Sequence, residues 1–347
     1  MIRIFIAELR KLMLPRGLLI LAAAAAAGLV WSLLPSYREF PCSPEVYAKY
    51  TAELEGELTE PKAGYLRARL EETDRLLEAY GEMRQRYLDG ELTLEEYSAF
   101  TERHGTAKAE RETVDYLCRR CETLLSCSGF EPYIFNDTDW SGLLAGIGFD
   151  PVMLLALLCL TVPVFDREYS SGSIALLLTS KRGRGSLAAV KVLTAAAAAF
   201  CLSLMLSGIR LGIFACRSGL GYGSLAAGNV LLTDSLGDTS LIEYYAFDSL
   251  LRGAVYALYG AGICLVCVIC RNTVFTFVLS FIICAAPVIA AGNLTGTASA
   301  YLLPGTLTVR MYPAGLSIPG ELVICALHAA AIMLMTVRIW RKRRKRA

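Results

Sequence analysis

Six apolar runs, at 17–34, 143–165, 187–214, 250–270, 274–292 and 321–337, constrain this chain more than any other feature. Crossing the roughly 30 Å hydrocarbon core of a bilayer takes about 20 helical residues, and a spanning segment must satisfy its own backbone there. The runs meet or approach that length. A mean hydropathy of +0.47 agrees with them. The expected fold is all-α: a polytopic membrane protein with about six transmembrane helices. Pro35, Ser36 and Tyr37, rather than an Ala-x-Ala-like site, follow the first run, so it is expected to remain as the first span.

Charge divides the chain. Residues 41–140 carry 12 Lys/Arg against 22 Asp/Glu, a net of −10, whereas the remainder carries 22 against 10, a net of +12. An acidic insertion therefore interrupts a membrane body with basic flanks. Arg3, Arg10, Lys11 and Arg16 precede span one, and Arg167, Lys181, Arg182 and Arg184 follow span two. Arg271 follows span four, and seven Lys/Arg residues between 338 and 346 follow span six. With six spans all four groups fall on one side, so the positive-inside rule makes both termini cytoplasmic and the insertion extracytoplasmic. The expected domains are 1–35 (an interfacial helix and span one), 36–142 (the insertion) and 143–347 (five further spans, a cytoplasmic loop at 166–186 and a basic tail). The location is the plasma membrane, multi-pass.

Residues 1–16 place Ile2, Phe5, Ile6, Leu9, Leu12 and Met13 at helical spacing between charges, the pattern of a helix lying in the lipid interface. Alanines at 22–27 and 195–199 leave room for close helix approach. In the insertion, Ser43-Pro44 reads as an N-cap and first-turn proline, and Thr93-x-x-Glu96 as a capping box. Leu66, Leu70, Thr73, Leu77, Tyr80, Arg84 and Tyr87 form a coiled-coil-like seam, which Val114, Leu117, Cys121 and Leu124 answer on a later helix. Asp89-Gly90 supplies the turn between them. An antiparallel helical hairpin or small bundle is expected.

Cys42, Cys118, Cys121 and Cys127 lie in the insertion, where an even count permits two disulfides; free thiols and half of a zinc site stand beside that reading. Asp150 and His328, ionisable residues in or beside spans, are candidate intramembrane polar sites. There is no G-x-x-x-x-G-K-[ST], HExxH or GxSxG, and two separated histidines support neither a triad nor a multi-histidine metal centre. The chain is expected not to be an enzyme, to hold no metal or cofactor and to bind no nucleic acid.

The loop after span two is the most distinctive stretch. An acidic-basic-acidic triplet, Asp166-Arg167-Glu168, leads through Tyr169 to a small-residue hinge at Ser171-Gly172. A compact apolar run from Ile174 to Leu178 and a basic, Gly-broken exit at 181–184 follow. Such a loop suits a short helix with one apolar face at the membrane surface. It resembles the permease subunits of type-2 ATP-binding-cassette exporters (the ABC-2 family), whose loop has the form F-x-x-E-x-x-x-G, then leucines, a small polar residue, an Arg and a Lys entering span three. Here those positions read Phe165, Glu168, Gly172, Leu176-Leu177-Leu178, Thr179-Ser180, Arg184 and Lys191. A Pro often follows the small polar residue in the family, and Lys181-Arg182-Gly183 stands here instead.

The resemblance implies a permease half, homodimeric or paired with a second permease, that exports a substrate on ATP hydrolysis by a separate cytoplasmic ATPase carrying ATP and Mg. It implies that Asp166, Glu168, Tyr169, Gly172, Ile174, Leu177, Leu178 and Arg184 form the ATPase-coupling surface, with Asp166 and Glu168 presented to basic groups on the partner. The alternative on the same topology is a non-transporting sensor or scaffold whose extracytoplasmic bundle binds a ligand or peptide.

Overall fold

A computed structural model describes residues 2–12, 15–33, 42–145, 151–171, 186–291 and 318–342. The chain opens with α1 (Ile2–Leu12) and α2 (Pro15–Leu33). Next come α3 (Pro44–Glu53), strand β1 (Gly56–Glu57), α4 (Glu60–Glu78), α5 (Tyr80–Leu88) and α6 (Leu94–Ser126). Strand β2 (Tyr133–Ile134), α7 (Thr138–Ala145), α8 (Pro151–Thr161) and α9 (Pro163–Ser170) follow. The remaining α-helices among the described residues are α10 (Ser186–Ser218), the short α11 (Gly228–Leu231), α12 (Leu241–Cys270), α13 (Thr273–Ala291) and α14 (Ile318–Lys342). The protein is mostly helical, with one two-stranded antiparallel sheet pairing Gly56 with Ile134 and Glu57 with Tyr133.

These elements make two compact units. One comprises Met1–Pro35, Gly146–Gly219 and Tyr245–Ala347; the other comprises Ser36–Ala145 and Leu220–Tyr244. The assignment of 220–244 is a departure from the sequence reading, which placed that stretch in the membrane body. Its physical cause is polar. Asn229 accepts a hydrogen bond from the Tyr133 amide at 2.7 Å, and Asp234 accepts from the amides of Ser128 at 2.9 Å and Gly129 at 3.2 Å. Both side chains thereby satisfy backbone donors that no local ladder serves.

The core of the second unit follows the predicted seam. Leu66, Val114, Leu117, Cys121 and Leu124 are buried between α4 and α6, with Tyr47 and Tyr50 of α3 laid across them. The Thr93 capping box forms: its hydroxyl accepts from the Glu96 amide while the Glu96 carboxylate accepts from the Thr93 amide at 2.9 Å. Pro44 occupies the first turn of α3 behind an extended Ser43, but the Ser43 side chain makes no cap bond. Gly90 takes φ +77°, the left-handed conformation the α5–α6 turn requires.

In the first unit, one apolar cluster joins α8, α9, α10, α12, α13 and α14 through Leu157, Phe165, Ala188, Ala195, Ala199, Cys264, Cys284 and Trp340. A second joins α2, α8 and α10 through Ala24, Met153, Ala156, Leu202 and Leu206. The small residues do bring helices close. A Cβ placed on Gly260 of α12 would lie 3.0 Å from the Ala195 carbonyl oxygen and 3.1 Å from the Ala199 Cβ on α10. α10 and α12 are long and apolar enough to cross a membrane, and α1 with α2, bent by 60°, makes a third span if taken as one. Residues 152–166 and 273–286 form shorter apolar helices. This is the mark of a membrane protein, with fewer spans among the described residues than the six read from the sequence. The run at 143–165 is divided among α7, α8 and α9, and Pro163, which has no N–H, opens α9 after a one-residue break.

Candidate functional site

Lys191 stands in the second turn of α10, a predominantly apolar helix, and is 1% exposed. Burying an ammonium is costly unless it is paired and hydrogen-bonded. Lys191 is both. Its Nζ lies 2.9 Å from Glu8 Oε2 on α1 and 2.8 Å from Glu168 Oε1 on α9. It also donates to the Val164 carbonyl at 2.6 Å and sits 5.5 Å from the centre of the Phe165 ring. Glu8 bonds Lys11 as well, at 2.6 Å one turn along α1. Three elements converge on one ammonium: α1, α9 and α10 itself.

The second oxygen of Glu168 is buried without a hydrogen-bond partner among the described residues. Two carboxylates face one buried ammonium, so the cluster is tightly held yet not fully saturated. Glu168 is accordingly turned into the protein, which corrects the expectation that it is presented outward.

The other coupling residues distribute as follows. Asp166 is half-buried and accepts a hydrogen bond from the Thr273 hydroxyl at the start of α13. Tyr169 packs on Trp340, ring centres 6.3 Å apart, and Phe165 meets the same indole edge-on at 5.4 Å. Gly172, Ile174, Leu177, Leu178 and Arg184 lie outside the described residues, as does Asp150. His328 is half-buried on α14. Lys191 was legible only as a motif position, and Glu8 only as one of the charges on an amphipathic helix.

A second buried pair escaped sequence reading. On α12, Arg252 donates from Nε to Asp248 Oδ2 at 2.6 Å and from a terminal guanidinium nitrogen to the same oxygen. Opposite charges four residues apart inside a hydrophobic helix were the available signal. Starting the span at residue 250 hid it.

Cys42, Cys118, Cys121 and Cys127 carry free thiols, the first three in the core of the second unit. Burial pushes the Cys118 and Cys121 thiols up to about 11, so both are held as neutral, unreactive groups. No cluster of three or more His, Cys, Asp or Glu able to hold a metal occurs among the described residues.

The second unit has its own buried charges. Arg120 bonds Asp137 at 2.7 Å and the Asn229 carbonyl at 2.6 Å, while Asp137 also accepts from the Tyr47 hydroxyl at 2.6 Å. Glu110 accepts from Tyr50 at 2.8 Å, Arg69 at 3.0 Å and Lys49 at 3.2 Å. Burial alone would raise the Glu110 carboxyl, but these three donors outweigh it and hold the group below its ordinary value.

No known protein family, curated protein or solved structure matches the chain.

Proposed function

We propose that the chain is a permease half of an ABC-2-type exporter, in which hydrolysis by a separate cytoplasmic ATPase moves a substrate outward. The observation that carries this reading is the Lys191 cluster. A loop driven by an outside motor transmits force only if the helices at its two ends move together; otherwise the push is absorbed locally. Lys191 on α10, bonded to Glu168 and Val164 on α9, clamps those two ends, and Glu8 adds the interfacial helix to the same body.

On this reading six spans bring both termini and the 166–186 loop to the cytoplasm, and the acidic unit stands outside. The Ile174–Leu178 run supplies the apolar anchor that docks on the ATPase, and Asp166, Tyr169 and Arg184 flank it. Glu168 acts from within, as a positioning residue. Two permease halves, identical or sibling, enclose the pathway, and motor closure rocks each clamped helix pair as a rigid body.

The test is a mild-detergent pull-down of the tagged chain from its native membrane. It should recover a stoichiometric partner bearing G-x-x-x-x-G-K-[ST] with ATPase activity, and Leu177→Asp should reduce that recovery. Reproducible isolation of the intact chain without such a partner overturns the exporter reading in favour of a sensor or scaffold.

A further inference from the structure

The α4–α6 pair in the second unit has two unlike halves. The proximal half is covered by α3, whose Tyr47 and Tyr50 close a fully buried core. The distal half, α5 with the first part of α6, has no such cover among the described residues. No residue of α5 is buried, and the buried positions of α6 begin only at Ala107.

The distal helices are nevertheless built to meet each other. Tyr87 stacks on Tyr97 with ring centres 4.4 Å apart, and Tyr80 stacks on His104 at 4.2 Å. Two helices can satisfy only the stripe along which they touch, and short isolated helices are marginal in water. Leu88 and Leu94, flanking the Asp89-Gly90 turn, are left 67% and 68% exposed. One exposed leucine is ordinary. Two at one tip, on a hairpin with no third layer among the described residues, make an apolar anchor point.

The charge around that anchor selects what covers it. Between 80 and 106 stand six carboxylates (Glu82, Asp89, Glu91, Glu95, Glu96 and Glu102) against Arg84, Arg86 and Arg103. Glu91 pairs with Arg86 and Glu96 serves the Thr93 cap. Glu82, Glu95 and Glu102 are exposed, with no ion pair among the described residues. A second copy of this tip, or an anionic lipid surface, would meet charge of its own sign.

We propose that the distal α5–α6 hairpin docks a cationic amphipathic peptide, which lies on it as a third helix in the way α3 lies on the proximal half. Apolar residues of the peptide cover Leu88, Leu94 and the aromatic seam, and its Lys or Arg residues face Glu82, Glu95 and Glu102. This docking does not depend on the exporter reading.

The experiment titrates a dye-labelled synthetic Lys/Leu amphipathic helix with the full chain in neutral-lipid nanodiscs, subtracting empty discs and reading anisotropy. Saturable binding that weakens with salt is expected, and the Glu/Leu counterpart peptide should not bind. Leu88→Ser with Leu94→Ser, and separately Glu82→Gln, Glu95→Gln and Glu102→Gln together, should each weaken binding about tenfold or more. All five positions are exposed, so the variants keep the fold, as circular dichroism should confirm. The proposal falls if binding does not exceed that of empty discs, if both variant sets bind like the parent, or if the leucine variant abolishes only self-association of the chain.

Discussion

Each unit of this protein buries a cation, and the two are solved differently. Arg120 uses its planar fork: one arm holds Asp137, another the Asn229 carbonyl, and Tyr47 satisfies the far oxygen of Asp137. Among the described residues, no buried side-chain atom of that network lacks a partner. Lys191 is a point charge shared between Glu8 and Glu168, and one Glu168 oxygen has no hydrogen-bond partner among the described residues. A saturated fork suits a lock that stays shut. A shared ammonium can redistribute between two carboxylates at little cost, which suits a joint rather than a lock.

The sharpest way to break this comparison is to remove each cation. Arg120→Met should cost toward the upper end of about 3–5 kcal/mol, because Asp137 stays buried and unpaired in a site with no slack. Hydrogen exchange should show 229–234 opening first. Lys191→Met should fall at the lower end of the same range of about 3–5 kcal/mol, since its carboxylates can neutralise by taking up protons. Adding Glu8→Gln and Glu168→Gln should recover much of that loss, as a thermal melt in detergent would register. An unrepaired triple variant would mean that the cluster matters for packing rather than charge.

Acid sharpens the contrast further. The folded-state carboxyl of Glu110 is depressed by its three donors, so its contribution is fully present above the unfolded value of about 4.3. That contribution is lost as pH falls through the lower folded value. Glu110→Gln should therefore flatten the acid limb of the stability profile of the second unit, followed by helical ellipticity as pH is lowered. The smallest effect belongs to the tip. Thr93→Ala should cost about 1 kcal/mol, confined to the start of α6, because nothing buried depends on that cap. Amide exchange around 94–98 would detect it while the proximal core remains unchanged.

What the sequence revealed was periodic or local. The stripe of Val114, Leu117, Cys121 and Leu124 needs only a count of 3.6, and the Thr93 box needs only four residues. What it concealed was long-range. Glu8 and Lys191 stand 183 positions apart, and Arg120 reaches Asn229 across 109. No local pattern marks either partnership, because any carboxylate or carbonyl at the right place would serve. The same blindness sent Glu168 outward, as an exposed acid in a loop, when its neighbour in space is a lysine one helix later.

The glycine at 260 carries a mechanical consequence. Where α12 passes Ala195 and Ala199 there is backbone against backbone, with no large side chains to interdigitate. A crossing of that kind has no rotamers to unlock when the helices rock; it is held by dispersion and weak C–H···O contacts spread along the touching surfaces. Such a contact resists separation while presenting few side-chain barriers to rotation. Gly260→Val would seize it by forcing the two backbones apart.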